Sequence, residues 1–95
     1  MSYELDITDE AVEDLEALLE SLPSARRADA VEGVDTALQK LAANPLLAAR
    51  QHLGRPTYHF QFTAGGVGYH WGCTFRFSED EKSIQITHFY RASAL

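Results

Sequence analysis

Tyr58-His59-Phe60-Gln61-Phe62 and Tyr69-His70-Trp71-Gly72-Cys73-Thr74-Phe75-Arg76-Phe77 alternate apolar with polar residues. Ser83-Ile84-Gln85-Ile86-Thr87-His88-Phe89-Tyr90-Arg91 opens with the same period. Side chains of a strand alternate between faces, so a period of two predicts three neighbouring strands with one greasy and one polar face. The polar set is His59, Gln61, His70, Thr74, Arg76, Gln85, Thr87 and Arg91. In one sheet, these imidazoles, amides and guanidiniums look out of a single surface, the candidate functional face.

The rest of the chain supplies a cover for the other face. Tyr3 to Ile7 alternates as a short first strand. Thr8 is placed to cap a helix over Asp9–Ser21, whose first turn holds the acids Asp9 and Glu10. Ala11, Val12, Leu15, Leu18, Leu19 and Leu22 form its apolar stripe. Pro23 breaks it, and Ser24 is placed to cap a second helix over Ala25–Ala43, with Ala28, Val31, Leu38, Leu41 and Ala42 on one face. Gly33 weakens that helix by ~1 kcal/mol relative to Ala. Asn44-Pro45 ends it. Leu46 to Ala49 reads as a helical turn or an apolar connection, and Leu53 to Pro56 as a turn. Strands follow at about 57–63, 68–77 and 83–91, joined by a loose loop over Ala64–Gly68 and a polar one over Ser78–Lys82. The expected order is β-α-α-β-β-β: an α+β domain with two antiparallel helices on one face of an antiparallel sheet.

Ninety-five residues hold a single core, residues 1–95 forming one domain. The net charge of −6 argues against a general nucleic-acid binder, since that affinity rests on Lys and Arg neutralising phosphates. The charge is unevenly spread. Residues 1–22 carry Glu4, Asp6, Asp9, Glu10, Glu13, Asp14, Glu16 and Glu20 and no base, whereas no acid falls between Asp35 and Glu79. Cys73 is alone and sits at an apolar parity, which predicts a buried hydrophobe. No apolar run approaches transmembrane length, so the expectation is a cytoplasmic protein without a membrane partner. His59, His70, His88 and Cys73 divide between two faces and so do not converge as zinc ligands.

Several stretches together resemble the RelE/ParE toxin superfamily, the toxins of type II toxin–antitoxin pairs. They are Tyr3 to Ala11, Leu41-Ala42-Ala43-Asn44-Pro45, Leu53-Gly54, Gly68-Tyr69-His70, and Ile84 to Arg91. The resemblance implies a cofactor-free toxin bound by a cognate antitoxin. It leaves a homodimer open, and it offers mRNA on the ribosome or gyrase as the target. In members that cleave translated mRNA, basic residues stand on the open sheet face. Here those positions carry His59 and Gln61 on the second strand, His70 in place of an Arg on the third, and Arg91 at the end of the fourth. Tyr90 or His88 would stand in for a C-terminal Tyr or His, although strict alternation points both toward the helices unless a bulge reverses them. The catalytic set that follows is His59, His70 and Arg91 with Arg76 auxiliary. Gln61, Tyr90, His88 and Arg55 are the substrate-binding set. His59 and His70 would act as base and acid, and the arginines would hold the phosphate. The plainer alternatives are that both imidazoles are ordinary surface residues or partner contacts, and that His88 is a hydrogen-bonded, partly buried histidine. A gyrase inhibitor, or a degenerate toxin fold that only binds an antitoxin, stays open beside the ribonuclease.

Overall fold

Alternation at the first strand and in the last forty residues produces a five-stranded sheet of order β1-β5-β4-β3-β2. The computed structural model describes residues 3–45, 50–52 and 55–92, without the side chains of residues 50–52 and 55. The elements are β1 (Glu4–Ile7), α1 (Asp9–Glu20), α2 (Ser24–Ala43), β2 (Arg50–His52), β3 (Arg55–Ala64), β4 (Val67–Ser78) and β5 (Ser83–Arg91). The expected order holds, with β2 added as a three-residue edge strand antiparallel to β3. Residues 46–49, expected to form a helical turn or an apolar connection, and residues 53 and 54, the start of an expected turn, lie outside the described residues; Arg55 and Pro56, expected to complete that turn, instead open β3.

The sheet is mixed rather than wholly antiparallel. β1 runs parallel to β5, Glu4 opposite Ser83 and Ile7 opposite Ile86, while the other neighbours are antiparallel. The two-helix crossover carries the chain from one sheet edge to the other, so β1 is left to pair with the last strand.

Thr8 caps α1 as expected: its Oγ1 accepts from the Ala11 amide at 3.2 Å and donates to the Ile86 carbonyl at 3.0 Å, which ties the helix start to β5. Ser24 does not cap α2. It is the first helical residue, and Pro23 occupies the cap position with no side-chain hydrogen bond. The buried face of α2 is also rotated from the expected one. Ala30, Val34, Ala37, Leu38, Leu41 and Ala42 are buried, whereas Val31 is 50% exposed. Gly33 accounts for the rotation, because a Cβ there would lie 2.6 Å from Phe62 Cβ. The small residues let α2 settle close onto β3 at this point.

The core face carries Phe60, Trp71, Cys73, Phe75, Ile84, Ile86 and Phe89 beneath both helices. The β3–β4 loop is tighter than expected. Ala64 pairs with Val67, and Gly65 and Gly66 take φ of 58° and 79°, the two positive values a type I′ turn demands. Asp29 of α2 accepts the Gly65 amide at 3.1 Å and holds that turn to the helix. Among the described residues, no helix is long and apolar enough to cross a membrane.

Candidate functional site

The decisive local feature is a bulge in β5. Thr74 pairs with His88 and Phe75 with Ile86, so Thr87 is an extra residue. Thr87 is held there by its hydroxyl, 2.6 Å from the Thr74 hydroxyl and 3.2 Å from the Thr74 carbonyl. One inserted residue reverses the parity of everything after it. Phe89 turns into the core opposite Cys73, and Tyr90 comes onto the open face opposite Gly72.

Tyr90 thereby meets His59. His59 pairs with Gly72 across β3–β4, and Gly72 pairs with Tyr90 across β4–β5, so the three form one row across the sheet. His59 Nε2 lies 2.6 Å from the Tyr90 hydroxyl. Glycine is what permits the contact: a Cβ at position 72 would sit 2.7 Å from His59 Cδ2 and 2.8 Å from Tyr90 Cζ. Burial pushes the Tyr90 phenol up from its ordinary value, and a hydrogen bond with the buried Thr57 works the other way. The phenol is therefore protonated near neutral pH. Where the phenol donates, His59 Nε2 is the bare nitrogen of a neutral ring that carries its own proton on Nδ1. When His59 is protonated, the phenol oxygen accepts instead.

His70 stands beside this pair, with its ring edge-on to His59 at a centroid distance of 5.5 Å. It also opens onto a groove of about 680 Å³ at the end of the sheet, shared with Gln61, Arg26, Arg91 and Ser21. The structure thus brings together His59, His70 and Tyr90, with Gln61 alongside. Arg76 is on the open face too, but four residues along β4 from Gly72, about 13 Å at the rise of a strand. It lines a separate hollow with Pro56, Thr74, Thr87 and His88.

The same bulge corrects the expected placement of Arg91, whereas His88 meets α1 as a hydrogen-bonded histidine, away from the His59–Tyr90 pair. Arg91 pairs with Trp71, so it takes the core-side parity rather than the open face; it reaches the turn between the helices, Nη2 3.4 Å from Ser21 Oγ. His88 faces the edge of α1. Its Nδ1 is 3.0 Å from Asp14 Oδ2 and its Nε2 3.9 Å from Glu10 Oε2, while Asp14 also accepts the Phe89 amide. That half-exposed histidine is spoken for by a helix. The Arg55 side chain lies outside the described residues.

The same architecture occurs in solved structures. A chain of the toxin–antitoxin complex RelBE2 from Mycobacterium tuberculosis matches with a TM-score of 0.59 at 20% identity, covering 97% of this chain and 100% of that one. A free-state arginine-to-alanine double mutant of the E. coli toxin RelE matches with a TM-score of 0.60 at 14% identity, covering 98% of this chain and 86% of that one. The chain has a RelE-like fold. No family model and no curated protein matches the sequence.

Three residues of this candidate site escape a reading by period. Gly72 looks like a gap in the alternation, yet it is the floor under the imidazole–phenol contact. Thr57 lies at the expected start of a strand, but it is 4% exposed and bonded to Tyr90. Arg26 belongs to α2, far in sequence from the strands, and donates from Nη1 to the Tyr69 hydroxyl at 3.0 Å. A Gly at an open-face position between two polar strands was the one signal available in advance.

Proposed function

We propose that this chain is the toxin of a type II toxin–antitoxin pair, acts in the cytoplasm, and cleaves RNA on its open sheet face. The reading rests on the 2.6 Å contact between His59 Nε2 and the Tyr90 hydroxyl, seated over Gly72 with His70 edge-on. It is supported by the fold, which is shared with proteins named as a toxin and as a toxin–antitoxin complex.

In the resting pair the phenol O–H donates to an unprotonated His59 Nε2. A ribose 2′-hydroxyl entering beside the rings displaces the phenol and gives its proton to Nε2 as its oxygen attacks phosphorus. Tyr90, released, donates to a non-bridging phosphate oxygen, where negative charge develops. His70 in its protonated form gives a proton to the departing 5′-oxygen as the P–O bond breaks. The products are a 2′,3′-cyclic phosphate and a 5′-hydroxyl, and no metal or cofactor enters the proton balance. Arg76 steers the backbone from further along β4.

The test is cleavage of mRNA in cells after induced expression, and of translated RNA by the purified chain on ribosomes. Tyr90→Phe and His59→Ala should each slow cleavage by roughly 10²–10⁴-fold. Undiminished growth arrest and cleavage in a His59→Ala, His70→Ala double variant would remove the site. A non-catalytic reading, as gyrase inhibitor or antitoxin-binding module, is favoured by one observation. Among the described side chains on the open face of β3–β5, Arg76 alone carries a fixed positive charge. Inhibited supercoiling or DNA breaks without RNA cleavage would select the gyrase branch.

A further inference from the structure

In a chain with fourteen acids and eight Lys or Arg residues, the groove beside His70 is an electrostatic exception. None of its lining residues is acidic, and two of them, Arg26 and Arg91, are guanidiniums. They come from opposite ends of the sequence, the first turn of α2 and the last residue of β5. Among the described residues neither has a carboxylate at ion-pair distance; the two ion pairs belong to His88. Their observed partners are neutral hydroxyls, Tyr69 at 3.0 Å for Arg26 and Ser21 at 3.4 Å for Arg91.

Arg26 is also held in place. Its side chain packs so closely on the β3–β4 turn that a Cβ on Gly65 would lie 2.9 Å from Arg26 Cγ. Tyr69, which anchors the guanidinium, is itself stacked on Phe62 at 5.5 Å. A guanidinium has five donors, and the Tyr69 bond uses one of them. Such a fork, pre-oriented and facing no carboxylate, suits an oxyanion.

We propose that Arg26 and Arg91 form a phosphate subsite that grips single-stranded RNA next to the nucleotide held at His59 and Tyr90. Its ligand rests on the RNA-cleaving reading above. His70 joins the two places: its ring is 5.5 Å from His59 and it lines the groove. A strand whose scissile phosphate lies against His59 passes over His70 and delivers its neighbouring phosphate to the two guanidiniums. Gln61, on the same wall, is placed for a base edge or a 2′-hydroxyl. The bulge that takes Arg91 off the open face thereby moves its charge into this second place.

The test uses the full chain and a fluorescent eight-nucleotide RNA, 2′-O-methylated throughout so that it cannot be cut. Binding is followed by anisotropy across a range of salt. Arg26→Ala with Arg91→Ala should weaken binding by about tenfold or more. It should also make the slope of log K against log salt shallower by about 0.7, the value for one phosphate of a single strand. Lys40→Ala, in the last turn of α2 and away from the groove, should leave both nearly unchanged. Equal affinity and slope in the double arginine variant would overturn the subsite while leaving cleavage untouched. Arginine-dependent binding in a wild-type chain that cuts no RNA would sustain the subsite and sink the cleavage reading. Capture of a hexaglutamate peptide in preference to the RNA would also overturn the proposal, marking the groove as a carboxylate site. If the double variant does not melt cooperatively, the Nε–Hε NMR signals of Arg26 and Arg91 in the wild type decide. They must shift on adding the same RNA, and stationary signals overturn the subsite.

Discussion

On one side of β4, Trp71, Cys73 and Phe75 sit at 2% exposure or less under two helices; on the other, His70 and Thr74 are part-exposed among polar neighbours and Gly72 is covered by His59 and Tyr90. The covered side draws on apolar burial, at about 1.5–3 kcal/mol for each large side chain. The open side draws on hydrogen bonds, each contributing about 0.5–1.5 kcal/mol net. The same strand therefore carries a face that determines whether the chain folds and a face that the fold scarcely depends on. The second is free to hold groups chosen for chemistry.

Four measurements press on that contrast. Trp71→Ala should cost about 3–5 kcal/mol, enough in so small a domain to lower the melting temperature by at least about 12 °C. A urea titration showing less than ~1 kcal/mol would mean that the covered face is not the main support. Gly72→Ala should cost about 1–3 kcal/mol through the 2.7–2.9 Å clashes with His59 and Tyr90, and should remove cleavage as fully as Tyr90→Phe does. Full activity in that variant would show that the row across the strands is not the site.

Alkali tests the covered face through Cys73. Burial pushes the Cys73 thiol from 9.0 up to about 12. Between those values the unfolded chain has lost this proton and the folded chain still binds it. Stability that is complete below pH 9 therefore falls as pH rises toward 12, by at most ~1.4 kcal/mol per pH unit, and Cys73→Ala should flatten the decline. The partly buried phenols Tyr58, on the covered face, and Tyr90, on the open one, shift in the same direction and add to the fall. The smallest effect belongs to Tyr90→Phe, which should change unfolding free energy by ~1 kcal/mol or less while cleavage falls steeply. A large loss of stability there would erase the distinction between the faces.

Periodicity reached the fold because burial enforces it. Phe60, Trp71, Cys73, Phe75, Ile84 and Ile86 are all core by parity and by structure, and Thr8 caps α1 from a local signal that needs no distant partner. Periodicity failed where a single residue changes the phase. Nothing near Thr87 marks it as the inserted residue, since the hydroxyl that secures it bonds to Thr74 on another strand. Hence the imidazoles of His59 and His70 were placed correctly, Tyr90 was placed only on the condition of a bulge, and Arg91 was assigned to the wrong side. The face of α2 was misjudged for a related reason. Gly33 has no local duty, and its close approach to Phe62 exists only in the assembled domain. Arg26 was invisible because its partner Tyr69 lies 43 residues away.

The parallel pairing of β1 with β5 orders events in time. Residues 4–7 cannot take their sheet partners until residues 83–86 exist, so closing that contact spans nearly the whole chain. Loops of such length close slowly, and the strand between β1 and β4 is the last to be synthesised. The tyrosine of the His59–Tyr90 pair, carried on that last strand, is therefore the final piece to reach the open face.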